Sequence, residues 1–183
     1  MMNSFKTSKS LDRLRLLAVF SMLGSIMFIS DILMEFMPNV HIVGVLTVIY
    51  TVVYRLKALI PIYVYVFLNG LFSGFGIWWL GYLYVWTILW GVTMLVPRRL
   101  PRLPKAVLYV CLCTLHGLLF GVLYAPVQMI YNSDINYIIS WIAIGFVTSD
   151  IYHGIGNCIF GILLIIPLSE LLVRIERKTS LIK

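Results

Sequence analysis

The sequence predicts an all-α integral membrane protein with six transmembrane helices and both termini in the cytoplasm. Three observations lead to this fold class. Hydrophobic residues make up 61% of the 183 residues and charged residues only 11%, with a mean hydropathy of +0.99. The apolar residues form long runs of the kind that membrane helices need. All 14 lysines and arginines lie outside these runs and on one side of the predicted membrane.

Each predicted span is an apolar run bounded by polar, proline or glycine residues. The first ends near Pro38 and is too long for the apolar core of a signal peptide. The second and third are shorter than the ~20 residues of a full crossing and turn at residues 54–58. Residues 97–105, with three prolines, predict a non-helical loop, and residues 124–137 predict a polar, aromatic loop. Residues 138–144 fit either an interfacial segment or the beginning of a helix. The predicted spans are residues 16–36, 41–54, 58–75, 79–96, 106–125 and 146–172, within a single domain of residues 1–183.

The basic residues determine the predicted topology. Cytoplasmic loops of membrane proteins are enriched in Lys and Arg, and here every basic group then falls on the cytoplasmic side. A five-span alternative that fuses residues 41–75 would bury Arg55 and Lys57 in lipid. We therefore expect a multi-pass protein of a cell membrane, specifically the bacterial plasma membrane. The same distribution of the net charge of +7 argues against a nucleic-acid partner. The groups are Lys6, Lys9, Arg13 and Arg15; Arg55 and Lys57; Arg98, Arg99, Arg102 and Lys105; and Arg174, Arg177, Lys178 and Lys183.

Acidic, amide and aromatic residues gather toward the opposite ends of the predicted helices. Asp150, His153 and Asn157 have the spacing i, i+3, i+7, which places them on one helix face. An ionised Asp at the bilayer centre costs ~2.5–3.5 kcal/mol on insertion scales, so it needs a partner or a wet cavity. Two interpretations stay open: polar contacts between helices with an ordinary aromatic belt, or an outward-facing ligand pocket. The expected pocket residues are Asp31, Glu35, Asn39, Trp79, Tyr82, Trp86, Tyr131, Asn132, Asp150, His153 and Asn157.

The sequence carries no motif of an enzyme or of an energy source. It has no phosphate-binding loop, no nucleophile motif and no paired-Cys or HExxH metal motif. Cys111, Cys113 and Cys158 lie in apolar runs and predict no disulfide framework. Secondary transporters usually contain internal repeats, and none is evident here. We therefore expect a non-enzymatic protein, without cofactor or metal, that binds a solute and obtains energy from a partner.

Three segments resemble the substrate-binding S-components of energy-coupling factor (ECF) transporters. They are MPNVHIVGVLTVIY at residues 37–50, FGIWWLGYLYVWTILW at residues 75–90, and a Gly-x-x-x-x-Asp-x-x-His-x-x-Gly-Asn pattern from Gly145 to Asn157. The resemblance implies an S-component-like helical bundle that binds a vitamin with high affinity. It also implies two kinds of partner, a transmembrane T-component and two cytoplasmic ATPase subunits.

The resemblance further implies a docking surface for the T-component on the first helix. S-components usually carry Ala-x-x-x-Ala there, whereas here Ala18 is followed four residues on by Met22. Ser21, Gly24 and Ser25 could provide a small-residue face instead, because small residues allow close helix approach in lipid. We therefore expect docking at Ala18, Ser21, Gly24 and Ser25, with packing within the chain as the alternative.

The solute is left open by the sequence. The aromatic outer ends favour a ring-bearing vitamin, and within the family a cobalamin-type ligand, with a queuosine precursor, a flavin or a pyrimidine-like vitamin as alternatives. Two other functional classes also stay open. One is a small proton-coupled secondary transporter that uses Asp150 and His153, and the other is a non-transporting membrane scaffold.

Overall fold

The computed structural model describes residues 2–37 and 39–179, which form helices joined by short turns, with no β-strand among them. The all-α prediction is therefore confirmed for this part of the chain. Pro38, the predicted end of the first span, and Lys183 lie outside the described residues. Within them, five helical segments are long and apolar enough to cross a membrane, consistent with a membrane-embedded protein. These segments are Leu14–Met34, Val43–Ser73, Ile77–Leu95, Arg102–Tyr131 and Ile135–Lys178.

The helices of the first half agree closely with the predicted spans. Helix α1 covers Met2–Met34 and so includes the basic N-terminal segment, and the next three helices lie within two residues of their predicted bounds. Helix α3 ends where Gly74 adopts a φ of 87°, a left-handed conformation that favours glycine. The three helices are α2 (Val43–Tyr54), α3 (Leu59–Ser73) and α4 (Ile77–Leu95).

Helices α2 and α3 run in opposite directions. The Tyr50 hydroxyl of α2 donates to the Leu23 carbonyl, and the ring of Tyr54 packs on Phe20, so α2 descends along α1. Helix α3 instead ascends with α1, because Val64 packs on Gly24 and the Tyr65 hydroxyl reaches Asp31. The reversal occurs in a 3₁₀ turn, Arg55–Ala58.

The turn between α2 and α3 is fastened to the end of α4. Arg55 adopts a left-handed φ of 56°, which is uncommon for a residue other than glycine. Its carbonyl accepts from Trp90 Nε1 at 3.0 Å, and its guanidinium donates to the Met94 carbonyl at 3.0 Å. The second bond satisfies a carbonyl in the last turn of α4, which has no partner within the helix. These contacts hold the turn in place.

The predicted fifth span starts too late and ends too early. Helix α5 covers Arg102–Leu118 and α6 covers Phe120–Tyr131, with a break only at Leu119. The prediction treated all of residues 97–105 as non-helical. Pro104 lies in the first turn of α5, where a proline is tolerated because the first amide groups of a helix have no carbonyl partner.

The predicted loop before the sixth span is also wrong. Only residues 132–134 separate α6 from α7 (Ile135–Gly145), and the Asp134 side chain caps α7 by accepting from the Asn136 amide. A π-helical turn, Phe146–Asp150, then joins α7 directly to α8 (Ile151–Thr179). The last helical leg therefore begins at Ile135, eleven residues before the predicted start at 146.

The bundle has a basic end and an acidic end. At the basic end, Arg102 pairs with Glu170 of α8, and the Lys105 ammonium donates to the Arg98 carbonyl. The α2–α3 turn lies at this same end, through its contacts with the last turn of α4. Asp31 lies near the opposite end of α1, where α2 begins and α3 ends.

Candidate functional site

The site is built around the carboxylate of Asp31. The His41 Nδ1 atom lies 3.0 Å from Asp31 Oδ1, at ion-pair distance but not aligned for an N–H···O hydrogen bond. Asp31 Oδ2 accepts from the Tyr65 hydroxyl at 2.8 Å and from Asn69 Nδ2 at 3.1 Å. Tyr65 and Asn69 are four residues apart on α3, so one face of that helix supplies both donors. A carboxylate among apolar helices requires such partners, and hydrogen bonds to a charged group are the stronger kind.

A cavity of about 220 Å³ opens on one side of the Asp31–His41 pair. We call it the Trp86 cavity. It brings together residues of six helices and two connecting segments. Its polar and aromatic lining residues are Asp31, Asn39, His41, Tyr65, Tyr82, Trp86, Phe120, Ser149 and His153.

A second cavity of about 190 Å³, the Glu35 cavity, adjoins the first. Both are lined by Asp31, His41 and Tyr82, so these three residues stand between the two spaces. The Glu35 cavity adds one further acid to the site. Its other lining residues include Phe28, Glu35, Asn69, Phe72 and Ser73.

Aromatic rings form most of the wall of the Trp86 cavity. The Trp86 ring meets Tyr65 and Tyr82 edge-on, with ring centroids 5.9 Å apart in both pairs. The His153 ring lies 5.1 Å from Phe120 and 5.1 Å from His41. Such pairs contribute specific packing beyond their buried area, so the wall is held in a fixed arrangement.

The indole N–H of Trp86 is a donor without an acceptor. Trp86 is only 6% exposed, and its Nε1 atom is buried with no hydrogen-bond partner in the described part of the chain. A buried donor left unpaired costs about 1–3 kcal/mol. A bound solute with an acceptor atom facing this group would remove that penalty.

Asp150 lies outside both cavities and caps a helix. Its Oδ2 atom accepts from the Gly121 amide at 2.9 Å, and the residue is 2% exposed. Gly121 is in the first turn of α6, just after the break at Leu119. Its N–H therefore does not continue the hydrogen-bond series of α5 and needs another acceptor. A Cβ atom at Gly121 would come within 2.7 Å of Asp150 Oδ2, so a larger residue there would displace the carboxylate. The structure thus places Asp150 as a contact between helices.

Asn157 also joins helices and lines neither cavity. Its Nδ2 atom donates to the Cys113 carbonyl of α5 at 3.0 Å. A Cβ atom at Gly44 of α2 would lie 3.1 Å from Asn157 Oδ1, and one at Gly117 of α5 would lie 2.8 Å from Nδ2. The two glycines therefore let α2 and α5 close around this amide.

Three other predicted pocket residues lie away from the cavities. Trp79 Nε1 donates to the Val66 carbonyl at 2.8 Å and so ties α4 to α3. Tyr131 and Asn132 are exposed at the end of α6, and Asn132 Oδ1 accepts from the Asp134 amide. The structure thus gathers Asp31, Glu35, Asn39, Tyr82, Trp86 and His153 at the cavities, and places the other five elsewhere.

Several lining residues were not among the predicted pocket residues. Among them are His41, Tyr65, Asn69, Phe120 and Ser149. For Asn69 a signal was present, because it is the one amide in the apolar stretch of residues 58–75. Intramembrane polar residues of this kind mark functional or interhelical contacts by default.

The residues expected to dock a partner divide into two groups. Gly24 is buried against α3: a Cβ atom there would lie 2.6 Å from the Val64 Cβ and 2.8 Å from the Pro61 carbonyl oxygen. Ala18 and Ser21 are exposed, and the Ser25 hydroxyl donates to the Ser21 carbonyl at 3.0 Å. Gly24 therefore packs α1 against α3 within the chain. The other three residues lie toward the side of α1 that faces away from α3.

Comparison with family models, curated proteins and solved structures gives no match to this chain. Within residues 2–37 and 39–179, no group of three or more His, Cys, Asp or Glu side chains is placed to hold a metal ion. The site combines a fixed carboxylate, a buried indole donor and aromatic walls, which suits a small ring-bearing molecule with hydrogen-bonding edges.

Proposed function

We propose that this protein is the solute-binding subunit of an ECF-type importer, energised by a T-component and two ATPase subunits. The observation that carries the proposal is the pair of cavities around Asp31, at the end of the bundle opposite the basic residues. With the basic end in the cytoplasm, as Lys and Arg favour, the cavities face the outside. The lack of a phosphate-binding loop in the sequence is the reason for assigning energy supply to partners.

The proposal includes six membrane crossings with both termini inside. The reversal at Arg55–Ala58 supports it, because α2 and α3 lie antiparallel and are not one long rod. At 12 and 15 residues, these helices are roughly 18 and 22 Å long. Both are shorter than the ~30 Å hydrocarbon core, so Arg55 and Lys57 would extend their charged groups to the interface.

The cavity sizes favour a small solute. At about 220 and 190 Å³, each is below the roughly 300–1,000 Å³ of sites that enclose drug-sized ligands. A corrinoid is far larger than either space, so the proposed solute is a smaller aromatic ring system. The ring would lie among Tyr82, Trp86 and Phe120, with an acceptor atom toward the Trp86 indole. A flavin, a pyrimidine-like vitamin and a queuosine precursor each contain an aromatic ring system with acceptor atoms.

A second candidate function is a small proton-coupled transporter. A specific observation favours it: Asp31, His41 and His153 form a row, with His41 at ion-pair distance from Asp31 and 5.1 Å from the His153 ring. Proton relays in membrane pumps and transporters commonly consist of neighbouring Asp, Glu and His side chains. The row replaces the expected Asp150–His153 relay, since Asp150 is bonded to the Gly121 amide.

A thermal-shift screen of the purified full chain against a vitamin panel tests solute binding. Binding raises stability by RT ln(1 + [L]/Kd), so a ligand at about 100 times its Kd adds about 2.7 kcal/mol. We expect one ring-bearing vitamin to raise the melting temperature. Trp86→Phe should reduce that shift and Trp141→Phe should not, because Trp141 lies on α7 outside the cavities. No saturable shift with any vitamin would contradict the proposal and favour a scaffold.

The source of energy is tested separately by transport into cells. If the proposal is correct, uptake requires the ATPase partners and stops when their ATP hydrolysis is inactivated. Uptake by the isolated chain in vesicles under a proton gradient would instead favour the second candidate. Both candidate functions need solute binding, so the thermal-shift screen tests binding itself, and the transport assay then distinguishes the two sources of energy.

A further inference from the structure

A surface groove runs between α5 and α8 toward the basic end of the bundle. It consists of two adjoining cavities of about 250 and 230 Å³, which share the side chains of Ala106, Ile165 and Ile166. We call it the α5–α8 groove. It lies at the end of the molecule opposite Asp31 and shares no lining residue with the two cavities there.

The part of the groove farther from the basic end is apolar. Its walls are aliphatic side chains of both helices, among them Val107, Val110 and Ile162. Gly161 also lines this part, and a Cβ atom there would be at ordinary contact distance, 3.5 Å from the side chains of Val110 and Ile165. An extended hydrocarbon chain fits such a surface by contact area alone.

The other part of the groove is polar and mainly basic. Arg102 and Lys105 line it on α5, and Ser169 and Glu170 line it on α8. Arg102 is paired with Glu170, Lys105 donates to the Arg98 carbonyl, and the buried Ser169 Oγ has no hydrogen-bond partner in the described part of the chain. Two cations thus face one anion, beside a hydroxyl that is free to donate.

We propose that the α5–α8 groove binds one anionic phospholipid. One acyl chain lies along the apolar part, and the phosphate lies at Arg102, Lys105 and the Ser169 hydroxyl. The amide groups in the first turn of α5 add positive potential at the same place. The charge balance selects the headgroup: the excess cation attracts an anionic lipid, whereas a zwitterionic lipid gains little from it. The inference requires only a membrane-embedded chain and is independent of the solute.

Native mass spectrometry of the delipidated full chain in detergent tests the lipid preference. The probes are dioleoylphosphatidylglycerol, dioleoylphosphatidylcholine and free glycerol 3-phosphate. We expect one phosphatidylglycerol to bind at least about tenfold more tightly than phosphatidylcholine, and glycerol 3-phosphate not to compete. Equal retention of the two lipids would overturn the proposal. Competition by glycerol 3-phosphate would also overturn it, in favour of a simple anion site.

Charge variants locate the headgroup. Arg102→Gln and Lys105→Gln should each weaken phosphatidylglycerol binding about fivefold. Arg99→Gln is the matched control, since Arg99 is exposed at the same end but does not line the groove. Glu170→Gln should strengthen binding, because it removes the competing anion. An equal loss in Arg99→Gln, or weaker binding in Glu170→Gln, would contradict the assignment.

A bulky side chain tests the acyl part. Ala106→Phe fills the place where the two cavities meet, so binding of phosphatidylglycerol should fall about tenfold or more while melting in lipid-free detergent stays near that of the parent. Leu163→Phe is the matched control, since Leu163 is exposed on α8 but does not line the groove, and binding should persist in it. Unchanged binding in a folded Ala106→Phe protein would overturn the proposal. So would a groove that retains no lipid and is instead covered by a protein partner.

Discussion

Asp31 holds three side chains together and also lines both cavities. Three side chains from α3 and the segment before α2 converge on it, so its replacement should change both stability and solute binding. In Asp31→Asn the charge is lost, and one amide cannot satisfy the same donors as a carboxylate. We expect a loss of about 2–3 kcal/mol in the free energy of unfolding, the scale of bonds to buried charges.

The measurement for Asp31→Asn is detergent melting together with a solute titration. Asp134→Asn is the matched control, because Asn caps a helix about as well as Asp and Asp134 is exposed before α7. It should behave like the parent in both assays. An Asp31→Asn protein with unchanged stability and unchanged solute binding would remove Asp31 from the centre of the site.

Asp150 provides the contrasting case at the same scale. Its role in the structure is to accept the Gly121 amide hydrogen, which an Asn side-chain oxygen can also accept. Asp150→Asn should therefore keep solute binding and transport within about twofold, with about 1 kcal/mol or less of lost stability. Asp150→Leu should lose more, about 1–3 kcal/mol, because the amide is left unpaired.

Transport measurements with the two Asp150 variants decide between a cap and a proton relay. A relay needs a titratable group, so loss of transport in a stable Asp150→Asn protein would show that the carboxyl itself takes part. Retained transport in Asp150→Asn would limit Asp150 to its structural role.

Among the residues predicted from the sequence for the pocket, the structure places at the cavities the two acids that no backbone group in the described residues satisfies, and away from the cavities two polar residues that a backbone group satisfies. Asp31 and Glu35 are acids at the end of an apolar helix, and both line a cavity. Asp150 and Asn157 looked equivalent in sequence, but a backbone amide and a backbone carbonyl satisfy them. Those backbone groups are available only because of a break at Leu119 and close glycine contacts, which depend on tertiary packing.

At the scale of elements, α1 has an inner face and an outer face that the sequence did not separate. Gly24 lies on the inner face against Val64, and Ser21 lies exposed on the outer one. Gly24→Leu should therefore disrupt the α1–α3 contact and lower stability by about 2 kcal/mol or more, the scale of overpacking a tight site. Ser21→Leu should fold and melt like the parent.

The same pair of variants tests docking to the proposed T-component. In lipid, helices associate through close packing of small residues, so a leucine at Ser21 should reduce assembly several-fold in a pull-down. Solute binding by the isolated Ser21→Leu protein should be unchanged. Ser25→Leu is a second test on the same side of α1. Loss of both assembly and solute binding in Ser21→Leu would show that this surface also packs within the chain.

The helices themselves were predictable to the extent that their ends are marked locally. Gly74 and the Arg55–Ala58 turn follow apolar runs, and α3 and α2 end there as expected. Pro104 misled the prediction because a proline is compatible with a first turn and incompatible with an interior, and sequence alone does not fix where the first turn lies. The polar residues near Asn132 likewise mark a turn of only three residues, 132–134.

For the whole molecule, the decisive question is whether residues 43–73 cross a bilayer once or twice. The antiparallel contacts of α2 and α3 with α1 place the Arg55–Ala58 turn at the basic end of the bundle. With two crossings, Lys57 lies at the cytoplasmic surface beside Arg99. With one crossing, it lies in the middle of the membrane and is inaccessible to water from either side.

Labelling of single introduced cysteines with a membrane-impermeant maleimide distinguishes these two cases. In a background with Cys111, Cys113 and Cys158 replaced by Ala, Lys57→Cys and Arg99→Cys should label only when the inner surface is opened to the reagent. Asn132→Cys, exposed at the end of α6, is the matched outer control and should label in intact cells. The basic residues favour this orientation because Lys and Arg are retained on the cytoplasmic side. If Lys57→Cys resists labelling from both sides while Arg99→Cys reacts, the α2–α3 turn does not reach the inner surface, and the six crossings proposed here cannot be correct.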